Sequence, residues 1–301
     1  MTKNDMGNDG GVGLGHPSDL RGVLCFSHEA MATVYEVYTA QTDRQYAAQA
    51  AQACFDLVDR LERDLSRFLP NSDVTRINHL DAGGSTCVAS STLECLVIAR
   101  HMFDLTDGAF DVSLGTGLPS LRLDTDGSIV HATANGVRLD LGGIGKGYAV
   151  DAMAEMLEDW DLPASLVHGG FSSVLALDPP PGREGWPLTL SDPRDGSRIL
   201  ERLTVRQIAL AASGVRKRDH IMDPRTGCPV RDRRAAWVAL GRPPGIAAAA
   251  VADALTTACM LLGWNQIERL CQNSPGAEAW VLQDEGLRHL GAIEQEIHHG
   301  W

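Results

Sequence analysis

From Asp140 to Asp151 the chain reads Asp-Leu-Gly-Gly-Ile-Gly-Lys-Gly-Tyr-Ala-Val-Asp, and no other stretch limits its possible folds so tightly. Residues 138–141 read as a short strand, and residues 148–159 have the apolar spacing of an amphipathic helix. Between them, four glycines and one lysine make a turn in which backbone N–H groups can approach a ligand closely. A strand, a glycine turn and a helix N terminus together form an anion site, and Lys146 adds a full positive charge to it. The same pattern also serves as a plain connector, and on this stretch alone both readings stay open.

Around this unit, strand and helix patterns come in mixed order rather than as a strict βαβ repeat. That predicts an α+β fold with mixed or antiparallel sheets and packed helices. Residues 1–23 are dominated by Gly, Asn and Asp and read as a disordered tail ahead of one domain spanning 24–301. Residues 32–39 alternate as a strand, and 46–68 read as a long helix with Ala50, Ala53, Cys54, Leu57, Val58, Leu61 and Leu65 on one face. Ser90 is expected to cap a helix that runs through 92–105. Strands are expected at 165–168, 174–177, 188–191, 203–205, 208–212 and 236–240, with 192–196 as a loop. Helices are expected at 246–262 and 265–273, and a hairpin formed by 279–283 and 287–290 closes the chain.

A chain of 301 residues with 44% hydrophobic content can bury a substantial core, and it has no apolar run long enough to span a membrane. No apolar segment precedes Cys25, so Gly22-Val-Leu-Cys25 is not read as a lipoprotein site, and the expected setting of the chain as written is cytoplasmic. Seven cysteines with scattered spacing and no C-x-x-C pair agree with reduced thiols. A formal net charge of −13 argues against nucleic acid or an anionic membrane as partner. It leaves room for a dinucleotide, because a few cations or a metal reverse the field locally.

Two later segments carry more chemistry. His220-Ile-Met-Asp-Pro-Arg-Thr-Gly227 gathers an imidazole, a carboxylate, a guanidinium and a hydroxyl into eight residues. Asp223 and Thr226 are either turn formers or site groups, whereas the imidazole of His220 titrates near neutrality beside strongly polar neighbours. Within the apolar helix pattern of 246–262, Asp253 and Thr257 stand at i and i+4, so both oxygens face one way. They are either ligands of one ion or a buried carboxylate bonded to a hydroxyl or a helix N terminus. Oxygen ligands without His or Cys suit Mg²⁺ completed by phosphate and water.

Taken in order, these segments resemble the motifs of the FAD:protein FMN transferase (ApbE) family, and the resemblance runs from about Met31 to Gly263. Met31-Ala-Thr33, Leu65-Ser-Arg-Phe68, Gly108-Ala-Phe-Asp111, Gly169-Gly170 and Ser213-Gly214 agree with it. It implies a T-fold-like architecture and a transferase that splits the pyrophosphate of FAD with Mg²⁺. FMN would pass to a Thr or Ser hydroxyl of an acceptor flavoprotein, releasing AMP; the other reading is an FAD- or FMN-binding module, or a slow FAD pyrophosphatase. The metal ligands it implies are Asp253, Thr257 and the backbone carbonyl of Gly145, where many members have Ala. His220 is the implied base, beside Asp223, and Lys146 with the metal would stabilise the departing phosphate. The flavin nucleotide positions carried over are Met31, Phe68, Ala109, Phe110, Asp111, Tyr148, Ser213 and Ile221, with Phe68 either stacking on a flat ring or ending the long helix. Asp151 is a helix-face residue or a further ligand.

The chain departs from the family pattern in three places. Val112-Ser113 replaces the usual Pro-Thr, and Phe171-Ser172 follows Gly169-Gly170 where Asp or Asn is common. Most important, Arg216 stands where an aromatic is usual, and five residues separate Gly214 from His220 where the family has ten or more. A missing hairpin there is expected to open the site on one side.

Overall fold

The apolar runs Ile208-Ala-Leu-Ala-Ala and Ala235-Ala-Trp-Val-Ala-Leu have no polar face, and the fold buries both of their sides. The computed structural model describes residues 11–15, 20–214, 221–230, 232–274, 276–291 and 297–299. Its main sheet has eight strands, in the order Gly286–Leu290, Ala277–Gln283, Ala235–Gly241, Ile208–Gly214, Ser173–Ala176, Ser165–Gly169, Thr33–Thr39 and Leu24–Ala30. Every neighbouring pair is antiparallel. A second sheet joins Val12–Leu14, Trp186–Asp192, Asp195–Val205 and Ile297–His299. A small third sheet holds Ser85–Cys87, Ile129–Ala132 and Leu121–Asp124, and Met222–Asp223 pairs with Cys228–Pro229.

Period-two alternation divides the main sheet between two cores. Ala209, Ala211, Ala236 and Val238 face the helices, whereas Leu210, Trp237 and Ala239 face the second sheet with Trp186, Leu188 and Leu203. Strands buried on both faces lose the alternation of a half-solvated sheet, which explains the continuous apolar runs. The molecule is therefore an α+β sandwich: helices, an eight-stranded sheet, then a second sheet.

Six helices are described: α1 (Arg44–Leu65), α2 (Asp73–Asn78), α3 (Ser90–Leu105), α4 (Gly145–Asp159), α5 (Ala248–Cys259) and α6 (Trp264–Asn273). Asp43 caps α1 by accepting from Gln45 N–H and Tyr46 N–H at 2.9 and 3.1 Å. Helices α4 and α5 pack on each other and on the sheet, with α1 against α4. The first turns of α4 and α5 meet backbone to backbone, because a Cβ on Gly147 would lie 2.2 Å from the Ala249 carbonyl oxygen. Only glycine permits that approach.

Several elements differ from expectation. The first 23 residues are not uniformly without structure, since Val12–Leu14 pairs with Leu188–Leu190 and Val12 is fully buried. Residues 138–141 form no ladder, and α4 begins at Gly145, inside the glycine turn. The long helix stops at Leu65 because Ser66 turns extended, which leaves Phe68 beyond it. Ser90 lies inside α3 rather than capping it; Asp73 of α2 instead accepts from Ala89 N–H at 2.7 Å. Residues 192–196 span a hairpin tip, not an open loop. Strand Leu24–Ala30 was not anticipated, although exposed Cys25, Ser27 and Glu29 alternate in it with the more buried Leu24, Phe26, His28 and Ala30.

Candidate active site

A cavity of about 470 Å³ opens where the first turn of α4, the middle of α5, the end of strand Ile208–Gly214 and the loop 109–114 converge. Asp253 of α5 forms its charged floor at 2% exposure. Its Oδ2 accepts from Gly147 N–H at 3.2 Å and lies 3.9 Å from Lys146 Nζ. Burial pushes the Asp253 carboxyl above the usual carboxylate range, against the pull of Lys146 and the Gly147 amide. Lys146 also donates to the Gly142 carbonyl at 2.8 Å, which holds the ammonium over the glycine turn. The turn packs closely: a Cβ on Gly143 would stand 3.3 Å from the Phe110 ring, a tight contact, and 3.5 Å from Thr257 Oγ, an ordinary one.

A hydroxyl chain completes the floor. Thr256 Oγ donates to the Asp253 carbonyl at 2.7 Å, so Ser213 must be the donor in its 2.7 Å bond to Thr256 Oγ. Ser213 Oγ is also 3.4 Å from Thr257 Oγ. Ser213 thus ties the end of its strand to the face of α5 that carries Thr257.

Of the residues singled out in the sequence, Lys146, Ala109, Phe110, Asp111, Ser213, Ile221, Asp253 and Thr257 line this cavity. The Asp111 carboxylate is engaged locally: Oδ1 accepts from Ser113 N–H and Oγ–H at 2.8 and 2.7 Å, and Oδ2 from Gly115 N–H at 2.9 Å. Ser113, one of the departures from the family pattern, accepts in turn from Gly117 and Leu118 N–H, so it braces the wall.

Others fall elsewhere. Tyr148 is buried beside α3 and donates to Glu94 at 2.7 Å; burial and that bond hold its phenol well above the usual range. Met31 occupies a tight hairpin turn with φ at 49°, and its sulfur accepts from Tyr35 O–H at 3.1 Å. Phe68 is 76% exposed under the Arg67 guanidinium, at 4.0 Å. Among the described residues it connects to the site through Arg67, which donates to the cavity residue Asp140 at 2.8 Å. Gly145 opens α4 one residue before Lys146. Asp223 is clamped by Arg225 Nε and Nη2 at 2.9 and 2.8 Å, which holds its carboxyl below the usual range, while its neighbours Met222 and Pro224 line the cavity. Asp151 is turned away into the α4–α5 contact. His220, and the shortened segment before it, lie outside the described residues.

Sequence reasoning missed Gly11, and it marked Phe171 only as a departure from the family pattern. Val12 N–H donates to the Phe171 carbonyl at 2.7 Å, and Gly11 and Phe171 share one wall of the cavity. Nothing in a Gly-rich tail signals such a contact.

The donor set fits a hard cation. Among the described residues no group of three or more His, Cys, Asp or Glu side chains is placed to hold a metal. Asp253 and the Thr257 hydroxyl alone are too few to fill a shell, so carbonyl, phosphate or water oxygens must complete it, as Mg²⁺ prefers.

Comparison with known proteins gives one consistent answer. The model of the ApbE family matches residues 31–118 and 114–281. The chain is 26% identical over 278 residues to a Vibrio cholerae protein named FAD:protein FMN transferase, covering 79% of this chain and 80% of that one. A Treponema pallidum protein of the same name is 25% identical over 301 residues, covering 82% and 81%. Among solved structures, the ApbE protein of Thermotoga maritima superposes with a TM-score of 0.78 at 23% identity, over 89% of this chain and 97% of that one. The flavin transferase ApbE of Vibrio cholerae gives a TM-score of 0.76 at 21% identity, over 90% and 97%.

Proposed function

The chain belongs to the ApbE family, and on that premise we propose that it transfers FMN from FAD to a Thr or Ser hydroxyl of an acceptor flavoprotein. The acceptor oxygen forms a bond to the FMN phosphorus, the pyrophosphate P–O bond breaks, and AMP leaves. The observation that carries this reading is the buried Asp253 facing the cavity beside Lys146 and Thr257. A carboxylate this buried is costly without a cationic partner, and a lysine at 3.9 Å is a loose one.

Asp253, Thr257 and a backbone carbonyl at Gly145 would hold Mg²⁺, which when bound neutralises phosphate charge. Lys146 supplies a second, fixed cation at the mouth of the glycine turn, where the departing phosphate accumulates charge. His220 takes the proton of the acceptor hydroxyl. Asp223 is the weaker candidate for that step, since Arg225 occupies both of its oxygens and lowers its basicity. Phe110 and Ala109 offer apolar wall to the nucleotide.

Transfer without a protein acceptor is the second reading, favoured by the five-residue span between Gly214 and His220. In that case water attacks, and free FMN and AMP appear. Among the described residues no helix is long and apolar enough to cross a membrane.

The test is incubation with FAD, Mg²⁺ and flavoproteins from the same cell, followed by denaturing electrophoresis and flavin fluorescence. A covalently fluorescent acceptor band with stoichiometric AMP is expected. Free FMN with no labelled protein would establish the hydrolytic reading, and intact FAD would overturn both.

A further inference from the structure

The N terminus of α5 is capped from another helix. Ala247, the residue preceding α5, offers no side-chain bond. Instead Asp151 of α4 accepts from Ala249 N–H through Oδ1 at 3.0 Å and from Ala250 N–H through Oδ2 at 2.8 Å. These are first-turn amides, which have no partner inside their own helix. Asp151 is buried, and burial pushes its carboxyl up to about 7 against the pull of the two amides and of Arg242.

The same two turns meet at a second point. One turn earlier on α4, Gly147 lies against the Ala249 carbonyl and donates its N–H to Asp253. Lys146, beside Gly147, faces the same carboxylate. The register of α4 on α5 therefore sets where the ammonium and the turn amide stand relative to Asp253 and Thr257. The packing of Gly147 limits how near the helices come, and the Asp151 bonds limit how far they slide.

We propose that Asp151 is a positioning residue, a carboxylate that α4 lends to the open end of α5 so that Lys146 and Gly147 are held in register with Asp253 and Thr257. The inference rests on the functional reading above only for its consequence on Mg²⁺; the register itself is a property of the metal-free chain.

The test separates capping from registration. Asp151→Asn removes the carboxylate while keeping its size, and Ala247→Ser adds a hydroxyl at the N-cap position of α5, where it can serve the same amides from within the helix. Three quantities are read at pH 8, where the carboxylate is ionised: the melting temperature, Mg²⁺ affinity by calorimetry with the metal alone, and hydrogen exchange of the Gly147 amide. Asp151→Asn is expected to lower the melting temperature, weaken Mg²⁺ binding on the order of 10-fold, and speed exchange at Gly147. The double variant Asp151→Asn/Ala247→Ser is expected to regain the melting temperature but neither Mg²⁺ affinity nor Gly147 protection.

Recovery of all three in the double variant would show that Asp151 is only a cap, and no change in the single variant would remove its role altogether. Should Asp151→Asn fail to fold, Asp151→Glu, which moves both oxygens one methylene outward, is read instead; wild-type Gly147 protection in it would overturn the proposal. A wild-type chain that binds no Mg²⁺ overturns the metal reading alone, because Gly147 exchange still reports the register.

Discussion

At the scale of single residues, the site sets a buried charge against loose compensation. Asp253 is desolvated; its Oδ2 has an amide at 3.2 Å and an ammonium at 3.9 Å, and the Ser173 hydroxyl adds to their pull on the carboxyl. Replacing Asp253 by Asn keeps an acceptor for Gly147 and removes the desolvated charge, so the metal-free melting temperature should hold or rise. FAD turnover should vanish in the same variant, and in wild type it should vanish with EDTA and return with Mg²⁺. Turnover that persists in Asp253→Asn with chelator present would dismiss the metal site. The proton acceptor is separable by pH. Asp223 has a depressed carboxyl, so its stabilising contribution is complete above its unfolded value near 3.9 and is lost only as pH falls through the lower folded value. It cannot shape a rate profile between pH 5.5 and 8.5. His220→Ala should slow transfer by roughly 10²–10⁴-fold with FAD affinity largely kept, and should abolish the acid limb of the profile. An unchanged limb in that variant would exclude His220 as the base.

At the scale of elements, the fold works by bringing helix starts together. Helix α4 starts inside the glycine turn, so Lys146 and the Gly147 N–H face the cavity, and α5 brings Asp253 within reach of that amide. Gly147→Ala should therefore cost about 1–3 kcal/mol by overpacking, seen as a lower melting temperature, and weaken Mg²⁺ binding as the helices part. Normal stability and affinity in Gly147→Ala would mean the two turns can separate freely. Most of these elements were legible: α1, α3, α5 and α6 follow from periodicity, and the buried strands from short continuous apolar runs. Their ends were not, because the end of α1 depends on Ser66 turning extended and the start of α3 on a carboxylate from α2. The small third sheet carried no signal either, being made of strands of three and four residues.

At the scale of the whole molecule, the central strands of the main sheet are buried on both faces, and the chain's early residues share in that. Val12 fills the second core, its carbonyl bonds the buried His168 at 2.9 Å, and Gly11 reaches the cavity wall beside Phe171. Deleting residues 1–15 should lower the melting temperature by roughly 2–6 °C, since a fully buried Val is worth about 1.5–3 kcal/mol. It should also weaken FAD binding, measured by flavin fluorescence; unchanged affinity would show that this wall does not touch the ligand. By itself the sequence determined the α+β class, the motif order that resembles the ApbE family, and the pairing of Asp253 with Thr257 on one helical face. Those features are local, set by periods of two and 3.6 residues and by short runs of polar groups. Only the tertiary structure decided that Tyr148, Met31 and Phe68 stand off the cavity, that Gly11 stands on it, and that Asp151 serves α5 rather than a ligand. The placements of Tyr148 and Asp151 depend on partners far along the chain, Glu94 at 54 residues' separation and Ala249 at 98. Spacing within a sequence says which side chains share a face, but not which distant backbone groups that face will meet.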